Sequence, residues 1–132
     1  MQNLILTSEQ WQTMRNHVNA EAPLEACGLL SGKDSRVESV HQIRNQVQSS
    51  ARYVMDPIEQ LNAFNWIESH NMDLLAIYHS HPTGPENVST TDIEEAAYSV
   101  VYIVWSRMRG EWQACAFWIE NRKVTDVQMN VI

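Results

Sequence analysis

Apolar residues along this chain recur with two periods, and each change of period marks a change of element. A short apolar run, "NLIL", predicts a first strand. In the "TSEQWQTMRNHVNAEAP" that follows, Trp11, Met14 and Val18 share one helical face, Thr7 and Gln10 have capping-box spacing, and Pro23 marks the stop. "EACGLLSGKDSRVESVHQIRNQ" reads as two strands around a turn at Gly32 and Asp34. A second helix is expected in "RYVMDPIEQLNAFNWIESHN", with Asp56 as N-cap, Pro57 at the first helical position, Glu59 closing a capping box, and Leu61, Phe64 and Ile67 as its buried stripe.

"LLAIYHSH" is a continuous apolar run ending in polar residues, the pattern of a central strand covered on both faces that delivers its last side chains to a cleft. After the loop "PTGPEN", "VSTTDIEEAAY" predicts a short helix, and "SVVYIVWS", "EWQACAFWIE" and "KVTDVQMNVI" predict three further strands. The order of elements predicts a mixed α/β fold: a largely antiparallel, curved β-sheet with three helices packed on it.

Composition narrows the functions open to such a fold. With 132 residues, 44% of them hydrophobic, and five tryptophans, residues 1–132 are expected to form a single domain with a real core. A formal charge of -7 without a lysine or arginine cluster argues against a nucleic-acid partner, because nothing is present to displace phosphate counterions. No apolar run approaches a bilayer span, and "MQNLILTSEQW" lacks the basic lead and long apolar run of a signal peptide, so a cytoplasmic location is expected. Cys27 and Cys115 sit in apolar runs, the usual setting of free thiols in a reducing compartment. Trp11, Trp66 and Trp105 are most simply core, whereas Trp112 and Trp118 fit either core or a subunit contact, which leaves a homodimer open.

The chemistry concentrates in "YHSHPTGPENVSTTD". On a strand, His79 and His81 project to one side while Ser80 faces the other. At a helix start, Ser89 and Asp92 share a face, so the strand end and the helix could close a His, His, Asp set around one zinc ion, leaving a fourth position open for water. Such a centre needs a proton shuttle that is not itself a ligand. Glu25, at the mouth of "EACGLLSG", is better placed than Glu86 on its loop, and Ser89 could donate to a developing oxyanion. The bland readings are plain. His17, His41 and His70 are ordinary surface or satisfied histidines, Ser89 and Asp92 could exist only to cap a helix, and Glu25 alone could be a surface carboxylate.

"LEACGLLSG", followed much later by "HSHP", Ser89 and Asp92, resembles the signature of the JAMM (MPN+) zinc metalloproteases: a glutamate, then His-(Ser/Thr)-His-Pro, then Ser-x-x-Asp. For a chain of this composition the H-x-H-x7-S-x-x-D spacing alone should arise by chance in roughly 5 of 10,000 cases. Asn45 at a strand end and the tyrosine of "RYVMDPIEQL" extend the resemblance, which covers roughly Leu4 to Phe117.

The resemblance implies a cytidine-deaminase-like MPN/JAMM fold and one Zn2+ per chain on His79, His81 and Asp92. It also implies Glu25 as general acid/base and Ser89 as oxyanion stabiliser. The substrate it implies is a peptide or isopeptide bond after the C-terminal Gly-Gly of a ubiquitin-like or sulfur-carrier protein. The short loops "SGKDSR" and "PTGPEN" leave no room for the insertions by which larger deubiquitinases grip two linked ubiquitins, so a stand-alone prokaryotic hydrolase is expected. The rival expectations are a noncatalytic scaffold of the same fold and a metal-binding module without hydrolysis.

Overall fold

The computed structural model describes residues 3–132. The elements run β1 (Asn3–Leu6), α1 (Ser8–Glu21), β2 (Cys27–Lys33), β3 (Arg36–Ile43), α2 (Pro57–Ser69), β4 (Asp73–His81), α3 (Thr90–Glu95), β5 (Val101–Met108), β6 (Glu111–Glu120) and β7 (Lys123–Val131). The expected sheet is present and goes further than curvature: in the order β1-β3-β2-β4-β5-β6-β7 it closes into a barrel. Closure comes from β7 lying parallel to β1, with Asn3 opposite Gln128 and Leu6 opposite Val131. The β2–β3, β2–β4, β5–β6 and β6–β7 pairings are antiparallel, while β1–β3 and β4–β5 are parallel.

Strand parity divides the core in two. On one face Leu30, Ala76, Tyr78, Ile103 and Ala116 pack against Met14 and Val18 of α1. On the other, Cys27, Leu29, Ile77, Tyr102 and Ile119 pack with Ala63 of α2. β4 lies between β2 and β5 and is buried from Leu75 to His81, as its continuous apolar run requires. Its end is therefore held from both sides and both faces.

Local details refine the sequence reading. Thr7 and Gln10 form the expected capping box of α1. The β2–β3 hairpin turns on Asp34 and Ser35, both at positive φ, and Gly32 instead sits within the strand, where a Cβ would overlap the Arg36 carbonyl. Asp56 caps α2 through the Ile58 and Glu59 N–H groups, but the Glu59 carboxylate accepts from the Arg44 N–H and so ties the helix to the end of β3. Leu61 is 58% exposed, and Ala63 and Ile67 form the buried stripe of α2. Both cysteines are free. Among the described residues no helix is long and apolar enough to cross a membrane.

Candidate metal centre

The end of β4 and the start of α3 meet at one point. His79 Nε2 lies 3.0 Å from His81 Nε2 and 3.1 Å from Asp92 Oδ2, and His81 Nε2 lies 3.2 Å from the same oxygen. Three donor atoms thus form a nearly equilateral triangle, slightly tighter than the edges of about 3.3 Å in a tetrahedron with bonds of about 2.0 Å. Parity explains the histidines: both follow Ile77 onto the α2 face, while Ser80 points the other way and its Oγ accepts the Ala26 N–H at 2.8 Å.

Asp92 reaches the triangle because it is also a cap. Ser89 Oγ accepts the Asp92 N–H at 3.0 Å, and Asp92 Oδ2 accepts the Ser89 N–H at 2.8 Å. The same carboxylate oxygen then faces both imidazoles, so cap and candidate ligand coincide in one residue. Ser89 Oγ has accepted one bond and retains its own proton to give away.

The proton inventory favours a cation. The ring Nδ1 of His81 lies 2.9 Å from the Pro85 carbonyl, which can only accept, so Nδ1 carries the proton and Nε2 of the neutral ring presents a lone pair. That lone pair confronts Asp92 Oδ2 of the ionised carboxylate, and the clash is relieved by a proton between the two atoms or by a metal ion. The titration directions agree. Burial pushes His81 down most strongly of any single influence, but the hydrogen bonds with Asp92 and Pro85 and the Asp92 and Glu25 charges together outweigh it, and the net shift is upward. Burial pushes Asp92 up, yet the bonds from His79 and His81 hold it well below the usual carboxylate range. His79 is driven down by its complete burial, which keeps it a neutral donor atom. The donor set fits zinc: two neutral imidazoles and a carboxylate, which would leave a fourth tetrahedral position to water or substrate.

Glu25 is 4% exposed, directly before β2, and one of its oxygens lies with His79 and His81 donor atoms within 4.8 Å of one another. Proximity alone would group Glu25 with the histidines as a ligand. Asp92 makes the tighter triangle with the two histidines, and Glu25 lies beside it. Its Oε1 is buried and finds no hydrogen-bond partner among the described residues. Burial pushes its pKa up to about 7, with the His81 charge opposing and Asp92 adding. Glu25, His81 and Ser89 line one cavity of about 240 Å³ together with Ser50, Gly84 and Pro85.

Three supporting residues escaped sequence reasoning as actors. Asn45 donates to the Glu25 carbonyl at 3.0 Å and the Arg52 carbonyl at 3.2 Å, and its Oδ1 accepts the Val54 and Val47 N–H groups. Tyr53 stacks on His79 with centroids 4.7 Å apart. Pro85 fixes His81 as described. Asn45 at a strand end and Tyr53 ahead of the capped helix carried a signal through the family resemblance, and Pro85 carried none. The remaining histidines follow the bland reading: His17 bonds Tyr78 Oη at 2.6 Å, His41 bonds Ser31 at 2.8 Å, and His70 stacks on Trp66.

A mixed α/β barrel that gathers two histidines and a carboxylate at one point, beside a buried glutamate oxygen without a partner among the described residues, has the arrangement that a metal-assisted hydrolase requires. Comparison with known proteins makes the class specific. Residues 7–120 match the model of the prokaryotic homologues of the JAB domain. A desampylase of Pyrococcus furiosus is 34% identical over 117 residues, covering 86% of this chain and 81% of that protein. A probable TtuB-protein conjugate cleaving protease of Thermus thermophilus is 41% identical over 92 residues, 69% of this chain and 62% of that protein. The solution structure of a Desulfitobacterium hafniense protein superposes with a TM-score of 0.88 at 31% identity, covering 98% of this chain and 92% of that one. The chain belongs to the prokaryotic JAB (JAMM) family and is a hydrolase of the isopeptidase type.

Proposed function

We propose that the protein is a zinc-dependent peptidase or isopeptidase that cuts after the C-terminal Gly-Gly of a ubiquitin-like or sulfur-carrier protein. The observation that carries this reading is the triangle of His79, His81 and Asp92 beside the unpartnered Glu25 carboxyl. The substrate class rests on relatives named for desampylation, for cleaving TtuB-protein conjugates and, at 27% identity over 133 residues, for CysO-cysteine cleavage in Mycobacterium tuberculosis.

Under this reading His79, His81 and Asp92 hold the ion, one per chain. Held there, a zinc ion would supply Lewis-acid activation of water and of a substrate carbonyl. Glu25, with its pKa raised to about 7, takes a proton from the attacking water and returns it to the leaving amine. Ser89, which lines the cavity and whose Oγ accepts the Asp92 N–H while retaining its own proton, donates to the oxygen that gains charge on the substrate carbonyl. Residues 1–132 act as one catalytic domain, and the expected setting is the cytoplasm.

The test is to incubate the zinc-loaded protein with a ubiquitin-like carrier extended beyond Gly-Gly by a residue or a linked lysine, and to weigh the products. A new carrier mass ending at Gly-Gly, lost on chelation and in His79→Ala, supports the reading. An intact substrate across a panel of such carriers, with zinc bound at one per chain, would instead indicate the scaffold or metal-storage alternative.

A further inference from the structure

We infer that a split between β6 and β7 is a docking groove for an extended partner segment in which apolar and basic residues alternate. β6 pairs with β5 along its length, from Glu111 opposite Met108 to Trp118 opposite Val101. Its pairing with β7 is shorter, running only from Glu120–Lys123 to Ala116–Val127. Beyond that rung β7 turns to β1, and Gln128 to Val131 pair with Asn3 to Leu6. Residues 112–115 and 128–131 therefore face each other across a gap, each paired on its far side only. Two strand edges with main-chain donors and acceptors directed at the same space form a template for an inserted strand.

A cavity of about 510 Å³ occupies this gap. Its lining comes from both faces of the sheet: Trp11, Ala114 and Met129 from the α1 face, Cys115, Asp126 and Glu86 from the other. A dimple in a continuous sheet would draw its lining from one face, so the cavity passes between the strands. Successive side chains of an inserted segment would alternate between these two environments. One set meets indole, alanine and methionine, and the other meets two carboxylates.

No lysine or arginine is among the lining residues, and the whole chain carries -7, so a basic segment is favoured over a second copy of this chain. Glu86 directly follows Pro85, whose carbonyl orients His81, so the rim of the groove is continuous with the loop at the candidate centre. The groove stands independently of whether that centre hydrolyses anything.

The test uses the full chain and an acetylated Val-Lys-Val-Lys-Val-Lys amide, with the block isomer Val-Val-Val-Lys-Lys-Lys as control for net charge. Amide hydrogen exchange is read residue by residue. The alternating peptide should slow exchange at 112–115 and 128–131 together, and the block isomer should not. Reversing Glu86 and Asp126 to lysine, with the fold checked by circular dichroism, should weaken the alternating peptide about tenfold through loss of the cross-strand charge pairs. Equal protection by the block isomer, or none at saturation, would overturn the inference. Protection that grows with protein concentration without peptide would overturn it too, by making a second copy the occupant.

Discussion

Asn45 offers the sharpest separation of stability from chemistry in this molecule. Its amide makes four hydrogen bonds, to the carbonyls of Glu25 and Arg52 and from the N–H groups of Val47 and Val54, and the residue is buried. At about 0.5–1.5 kcal/mol for each bond, with some partners reaching water after truncation, Asn45→Ala should cost roughly 2–4 kcal/mol. The chemical cost is separate. Asn45 joins the Glu25 backbone to the segment carrying Tyr53, which stacks on His79, so its loss loosens Glu25, the proposed proton shuttle, relative to the His79, His81 and Asp92 triangle. A displacement of about 1 Å at a reacting group is worth about a hundredfold in rate. The assay is kcat/KM at a temperature where both proteins are fully folded, with bound metal measured in the same samples. Metal content should hold at one per chain, since the candidate ligands come from β4 and α3, while kcat/KM falls about a hundredfold. Asn45→Asp retains the acceptor for Val47 and Val54 but turns its second oxygen on the Glu25 and Arg52 carbonyls, and should reproduce the kinetic loss at a cost in stability no smaller than that of Ala. Activity that merely tracks the folded fraction would refute the positioning role.

Ser89→Ala should lose about 1 kcal/mol of capping energy and, as a donor to the developing oxyanion is removed, about a hundred- to a thousandfold in kcat, whereas Ser89→Thr should restore both, as read by denaturation and turnover with metal content checked. Gly28→Ala places a Cβ against the ring of buried Tyr78, whose Oη bonds His17; overpacking and loss of that bond should lower stability by about 2–4 kcal/mol, visible as a lower urea midpoint. The metal-free protein should reveal Glu25 through pH. With its pKa raised from 4.5 to about 7, the folded chain holds a proton that the unfolded chain releases, so Glu25 removes stability as pH rises through that window. Glu25→Gln lacks this loss, so its Tm relative to the metal-free parent should climb between pH 4.5 and 7 and level off above; a flat difference would contradict the burial argument.

The residues of the candidate centre were legible because their spacing obeys two simple periods. Alternation on β4 sends His79 and His81 to one side, and the capping interval of Ser89 and Asp92 delivers a carboxylate to the same point. That Asp92 could be cap and candidate ligand at once was open in the sequence, where a capping box and a ligand set fit the same letters; the structure shows one carboxylate oxygen meeting both the Ser89 N–H and the two imidazoles. Barrel closure was hidden: β7 meets β1 across almost the whole chain, and no local pattern encodes a pairing of such separation. The exposed Leu61 shows apolar periodicity misread in a helix whose buried stripe rests on Ala63 and Ile67. Asn45 was visible as a strand terminator, but its bonds to Glu25, Arg52 and Val54 exist only once the loop has closed on itself.

The most direct measurement takes purified Glu25→Gln protein, loaded with zinc, and determines metal content and turnover of a Gly-Gly-linked substrate on the same sample. One zinc per chain with turnover reduced by about a hundred- to ten-thousandfold is expected, since under the proposed function Glu25 moves the proton while His79, His81 and Asp92 hold the ion. Turnover near that of the parent would contradict Glu25 as the shuttle, and loss of zinc from the variant would make it a ligand instead.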